Sequence, residues 1–375
     1  MMELNRNLAA LRRSGIRRFT ELAAATPGCI RLTIGEPDFA TPAPIKAAAA
    51  AALAADETHY ASNWGTPALR RAVADFETRR GCACTPEQVL ITVGATGALY
   101  TALTGLLNPG DEVVIPTPAF SLYESITLAA GAVPVPLDLT GTGFQITPEG
   151  LDAVLTPKTR AIILNSPHNP TGTVLSAASL AAVKAAVLGK PIALLCDNVY
   201  QQLTAVPCPD LSLDPDLREQ VLVCQSFSKP YAMTGWRVGY LIGPRAVMDR
   251  LLLLHAAEVA AVPTFLQTAC VTALSCDTGP MADVYTRRRN LVYRRITEMG
   301  LSCPRPEGAF YVFPDVSRFG MASEALCERM IRQAGVAAVP GTCFGTEGYL
   351  RLSCACADKD LAEALDRMEA FFASL

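Results

Sequence analysis

Short apolar runs alternate with helical stretches along most of this chain, and that alternation restricts its fold more than any other feature. Residues 88–93 (QVLITV) read as a buried strand, and Gly94-Ala95-Thr96-Gly97 turns into a helical stretch ending near Leu107. After the turn Asn108-Pro109-Gly110-Asp111 come strand-like runs at 112–115, 161–164, 192–196 and 221–225, with a helical segment at 180–187. Strands that are apolar throughout are buried on both faces. Separated by helices, they make a mostly parallel sheet with helices on either side. Over roughly the last quarter of the chain the pattern changes. Arg287-Arg288-Arg289 opens a charged helix, and 309–313 (AFYVF), 336–339 and 349–353 (YLRLS) read as strands between helices. That indicates a second, smaller α/β domain.

Composition removes several function classes. The 375 residues (39.8 kDa) supply two to three domains' worth of polypeptide at ~100–200 residues each. A formal charge of −3 and a pI near 5.8 argue against binding bulk nucleic acid. The alanine-rich run at 47–55 is too short to cross a bilayer, which needs ~20 residues. The uncharged stretch 259–276 is interrupted by Pro263, Thr264, Gln267 and Thr268, so it reads as a buried core helix. The amino terminus has no apolar segment of the secretory kind. The 13 cysteines are odd in number, with Cys82/Cys84 and Cys354/Cys356 spaced C-x-C, and only three histidines accompany them. No metal site is expected, and reduced, mostly buried thiols point to a cytoplasmic protein.

Four segments place polar residues where strands end, the edge at which open α/β sheets bind ligands. Gly94-Ala95-Thr96 opens a helix whose first N–H groups and dipole suit a phosphate; a plain βα turn has the same sequence. The loop from Asn165 to Gly172 (NSPHNPTG) is proline-locked and able to aim one amide, or to serve as a rigid connector; Asn169-Pro170 could be cis, though trans is commoner by a wide margin. Asp197 ends an apolar strand, with Tyr200 three residues on. A carboxylate there needs a cation or a donor, unless it caps a helix. The run from Ser226 to Arg237 (SFSKPYAMTGWR) brings two serines, Lys229 and an arginine together. Hydroxyls with arginine suit a phosphate, and a shielded lysine can lose its proton and attack a carbonyl.

Together these are the parts of a pyridoxal-phosphate site: an amine, an acid for the ring nitrogen and donors for the phosphate. The chain resembles the class I, fold-type I aminotransferases over nearly its full length. The resemblance rests on GEPDF (35–39), YASNWGTPALR (60–70), NPGDEV (108–113), NSPHNPTG (165–172), DNVY (197–200), SFSKPYAMTGWRVGY (226–240), PEGAFYVF (306–313) and YLRLSCA (349–355). The opening SGIRRF (14–19) with LTIGEPDF (32–39) is most similar to the aspartate, aromatic and N-acetyl-diaminopimelate branch.

The resemblance implies a large pyridoxal-phosphate-binding domain at 41–285, and a small domain built from both chain ends, 1–40 and 286–375. It implies that Lys229 makes the Schiff base with the cofactor and shuttles the proton between Cα and C4′. Asp197 pairs with the ring nitrogen, Tyr200 and Asn169 bond the phenolate oxygen, and Phe120 stacks on the ring. Gly94, Ala95, Thr96, Ser226, Ser228 and Arg237 hold the phosphate, joined by Tyr60 of a partner subunit in a homodimer. Arg351 clamps the substrate carboxylate beside Gly35 and Asn169. The implied reaction moves an amino group from an L-amino acid to a 2-oxo acid by a ping-pong route.

Three positions depart from the family pattern: Asn198 in place of an acid, Gly97 in place of an acidic or amide residue, and Phe120 in place of tyrosine. Phe19, Trp64, Phe120 and Tyr123 are candidates for an aromatic lining that favours a large side chain. Two other readings compete. A cysteine-S-conjugate (cystathionine) β-lyase would keep Lys229 and Asp197 on the same scaffold. A ligand sensor would need a helix-turn-helix segment ahead of the family's start, and the resemblance begins within the first fifteen or so residues.

Overall fold

Twelve strands lie among the described residues, 2–13 and 15–375, of a computed structural model. In chain order they are β1 (Ile30–Arg31), β2 (Val89–Thr92), β3 (Glu112–Thr117), β4 (Val133–Asp138), β5 (Thr159–Asn165) and β6 (Ala193–Asp197). Then follow β7 (Val221–Ser226), β8 (Gly239–Ile242), β9 (Tyr311–Val312), β10 (Val336–Ala337), β11 (Val339–Pro340) and β12 (Leu350–Ser353).

Seven of them form one sheet in the order β2-β8-β7-β6-β5-β3-β4, with β8 antiparallel to both its neighbours and the other pairs parallel. The apolar strands split by period two, as pleating requires. Ile162, Leu164, Leu194, Cys196 and Val223 face one core, whereas Ala161, Ile163, Leu195, Leu222 and Cys224 face the other. Both faces are therefore dry, which is why these strands carry no polar alternation.

A separate core gathers Phe19, Ala23 and Leu32 with residues between Tyr285 and Phe372. Its strands are short: β1 pairs with β10, and β12 lies between β11 and β9. Arg288 bridges Asp38 at 2.9 Å and Asp358 at 2.6 Å, and the Tyr285 hydroxyl donates to Asp38 at 3.0 Å. These bonds pin the segment 33–38 from the amino-terminal end onto the carboxyl-terminal elements.

Several sequence expectations are corrected. The stretch 259–276 is not one helix. The helix Arg245–Val259 ends, Ala260 takes a left-handed φ of 58°, and a new helix, Thr264–Ala273, begins behind Pro263. Proline lacks the N–H that an unbroken helix would need at that point. The charged helix begins at Gly279, eight residues before Arg287, and its first turn, Gly279–Ala282, carries no charge to mark it. The run 336–339 divides into β10 and β11. Strands β4 and β8 were not expected. The first carries two prolines, tolerable because it lies at the sheet edge, and the second is four residues long. Among the described residues the cis bonds are Thr117–Pro118 and Ser166–Pro167, and Asn169–Pro170 takes the commoner trans form, as expected.

Candidate active site

The strands of the large sheet that run in the same direction all finish at one edge, and all six finish on a polar residue: Thr92, Thr117, Asp138, Asn165, Asp197 and Ser226. A cavity of about 230 Å³ opens there. It is lined by Gly35, Ala95, Thr96, Phe120, Asn169, Asp197, Tyr200, Ser226, Ser228, Lys229, Arg237 and Arg351, all expected from the sequence. Gly94 sits directly behind Arg237. Tyr60 is outside the cavity and 91% exposed.

At the reactive end, Lys229 is half-buried and donates from Nζ to the Gly35 carbonyl. Burial, then the positive charges of Arg351 and Arg237, lower its pKa to about 8. At pH 7.5 about a quarter of such an amine is neutral, against roughly one part in a thousand for a free lysine. That fraction makes it a usable nucleophile and base. Asp197 is buried, and burial pushes its carboxyl up to about 6. The Tyr123 hydroxyl, the Val199 N–H and the charge of Lys229 pull the other way. Strand register places Asn165 beside Asp197. Asn165 donates from Nδ2 to the Asp197 carbonyl at 2.8 Å and accepts the Asn169 N–H at 2.8 Å, so one side chain fixes both functional residues.

The opposite end is built for an anion. The helix Gly94–Leu106 points its unpaired first N–H groups into the cavity at Ala95 and Thr96. Ser226 Oγ lies 2.8 Å from Ser228 Oγ and accepts the Ser228 N–H at 3.0 Å. Arg237 has a left-handed φ of 56°, and its Nη2 is 2.8 Å from where a Cβ on Gly94 would stand. A side chain at 94 would displace the guanidinium. At Gly239 a Cβ would come within 2.6 Å of the Gly94 backbone, so the close approach of the two turns needs both glycines.

Arg351 projects from β12 and is 2% exposed. Its guanidinium carbon lies 4.5 Å from the Tyr311 ring centroid and 4.9 Å from that of Phe344. It donates to Asn169 Oδ1 at 3.1 Å and to the Thr33 carbonyl at 2.9 Å, but its Nε has no partner. A buried, unpaired guanidinium N–H costs several kcal/mol until an anion meets it. A carboxylate is the group whose two oxygens match that fork. An amine, a buried acid and two separate anion holders thus surround one cavity, and this donor set fits pyridoxal phosphate with an amino acid beside it.

The family model for aminotransferases of class I and II matches residues 27–368. The chain belongs to that family. A probable N-acetyl-LL-diaminopimelate aminotransferase of Bacillus subtilis (strain 168) is 39% identical over 380 residues, spanning 98% of this chain and 95% of the relative. An aspartate/prephenate aminotransferase of Cereibacter sphaeroides is 39% identical over 381 residues, spanning 95% and 94%. The solved aspartate aminotransferase from Thermus thermophilus with maleate superposes with a TM-score of 0.93 at 34% identity, covering 99% of this chain and 100% of that one. The protein is a pyridoxal-phosphate-dependent aminotransferase of fold type I. The β-lyase reading finds no support in these relatives.

Two aromatic residues expected near this aminotransferase's pocket are elsewhere. Phe19 is buried in the smaller core, and Trp64 lies between Arg70 and Arg245, each about 5.0 Å from its ring. Ile16, Tyr311 and Asn165 line the cavity without having been singled out. The AFYVF run contains Tyr311, whose hydroxyl is 3.0 Å from that of Tyr200. Nothing local in the sequence marks that pairing, because the two residues are 111 positions apart. Tyr123 also lines the cavity, but in contact with Asp197 rather than as free aromatic surface.

Proposed function

We propose that this aminotransferase binds the α-carboxylate of an L-amino acid, and in the second half-reaction that of a 2-oxo acid, on Arg351, with Lys229 as the proton carrier. The buried Arg351 Nε without a partner, in the same cavity as Lys229, is the observation that carries this reading. Bound pyridoxal phosphate supplies the electron-poor ring that takes up charge when the Cα proton leaves. Asp197 holds the ring nitrogen in its protonated form, and Phe120 covers one ring face. Asn169 gives its Oδ1 to Arg351, which leaves Nδ2 free to donate to the phenolate oxygen together with Tyr200. Gly94, Ala95, Thr96, Ser226, Ser228 and Arg237 hold the phosphate. With the cofactor bound, Lys229 would carry the proton between the substrate Cα and the cofactor carbon C4′.

Arg351→Lys keeps the charge but loses the fork. It is expected to raise the KM for the amino acid by ~10–100-fold, while the bound cofactor's absorbance stays as in the native protein. An unchanged KM would remove Arg351 from the carboxylate site.

The same reading makes the protein a cytoplasmic homodimer. Thirteen free thiols support a reducing compartment, and no helix among the described residues is long and apolar enough to cross a membrane. Tyr60, 91% exposed and outside its own cavity, is assigned to the phosphate of the partner subunit. Sedimentation is expected to give a dimer, and a fully active monomer would contradict shared sites. The large lobe, 41–285, carries the lysine and the aspartate. The small lobe, 1–40 with 286–375, carries Arg351 and Gly35.

A further inference from the structure

Asp197 stands in surroundings that favour its neutral form, yet its role requires the anion. It is 4% exposed, and burial is the largest influence on its acidity. Among the described residues Tyr123 supplies the only side-chain hydrogen bond to the carboxylate, from its hydroxyl to Oδ2 at 2.6 Å. Oδ1 receives the Val199 N–H at 3.4 Å, the outer limit of a hydrogen bond. The titratable groups around it are Cys196 on its own strand, Cys224 from β7, Tyr200 in the following loop, Tyr123 and Lys229. The cysteines and tyrosines are held neutral by burial, so Lys229 is the one cation. Lys229 must shed its charge to react. At that moment the tyrosine hydroxyl is the remaining side-chain group that favours an ionised Asp197.

We propose that Tyr123 is a positioning residue for Asp197: its hydroxyl fixes the carboxylate's rotation and keeps it ionised, so that an oriented anion faces the cofactor's ring nitrogen. This inference rests on the assignment of Asp197 to that nitrogen. Tyr123 starts the helix Leu122–Ala129 one residue in, is 3% exposed, and packs edge-on against Phe120 with centroids 5.8 Å apart. Tyr123→Phe keeps that packing and removes only the donor.

The test follows Asp197 in the cofactor-free protein by ¹³C NMR of labelled aspartate carboxyls, with its signal identified by its loss in Asp197→Asn. Losing a donor to the charged form raises a carboxyl's midpoint, here by about one pH unit in Tyr123→Phe. Pyridoxal phosphate affinity, read by fluorescence, is expected to fall ~10-fold at pH 6 and less at pH 8, where the carboxylate ionises regardless. On an Asp197→Asn background Tyr123→Phe changes affinity less than ~2-fold. If the phenylalanine variant does not fold, 3-fluorotyrosine at position 123, a stronger donor, moves the midpoint downward instead. An unmoved midpoint overturns the proposal, and so does a loss of affinity equal at every pH and in both backgrounds. Should Asp197→Asn bind the cofactor as tightly as the native protein while the midpoint still moves, the ring-nitrogen assignment fails and the Tyr123–Asp197 coupling stands.

Discussion

Lys229→Ala is expected to lower transamination by roughly four orders of magnitude or more, because it removes the nucleophile and the proton carrier together. The fold is expected to survive. Lys229 contributes no ion pair to the core, and burial already disfavours its charged form, as its lowered pKa of about 8 records. The anion holders Ser226, Ser228 and Arg237 are untouched, so the variant still binds the cofactor, reversibly and without covalent attachment. A parallel change at Lys184, which pairs with Asp214 and Asp216 on the surface, is expected to leave turnover unchanged. Turnover by Lys229→Ala within ~10-fold of native would show that another group carries the proton.

Asp197→Asn is expected to cut kcat by ~10³-fold, because a neutral amide cannot hold a positive charge on the ring nitrogen as it develops its electron-withdrawing role. The same change is expected not to destabilise the cofactor-free protein. Asp197 has a folded pKa of about 6, raised by burial above the 3.8 of an ordinary aspartate. Between those two values the folded state binds more protons than the unfolded chain, so stability falls as pH rises through that window. Above it the buried anion is a cost that asparagine avoids. Thermal unfolding of both proteins without cofactor at pH 7.5 checks this, with the Tm of Asp197→Asn equal to or above the native one. A lower Tm together with lost activity would mean that Asp197 acts mainly through the fold.

How much of this was legible in the sequence depends on distance along the chain. The large sheet was readable because β5, β6 and β7 each carry four consecutive apolar residues and end on a polar one, a pattern that a doubly covered parallel strand imposes locally. The lysine, the aspartate and the phosphate turn were found at those strand ends, with the family resemblance assigning their roles. What could not be read were partnerships between remote segments. Tyr123 and Asp197 are 74 positions apart, and a tyrosine in a helix start has the same sequence whether it packs, lines a pocket or bonds an acid. Arg351 and Thr33 are 318 apart, so the buried clamp depends on the chain's two ends folding together. Phe19 was expected among the aromatic groups near the pocket, but it is buried in the helix Gly15–Ala24 and packs into the smaller core, a contact set by remote carboxyl-terminal residues. The break at Ala260 was hidden for a different reason, since alanine carries no signal for a left-handed φ.

The central claim is that one amine carries the cofactor, and the sequence makes it directly measurable. The chain has six lysines, and Lys229 alone lines the cavity; Lys46, Lys158, Lys190 and Lys359 are exposed and Lys184 is paired at the surface. Borohydride reduction of the protein loaded with pyridoxal phosphate, followed by peptide mass mapping, reads out which of them is attached. The expected result is the cofactor's added mass on the peptide holding Lys229 and on no other. Attachment at any of the other five, or none at all in protein that retains the cofactor, would contradict the account.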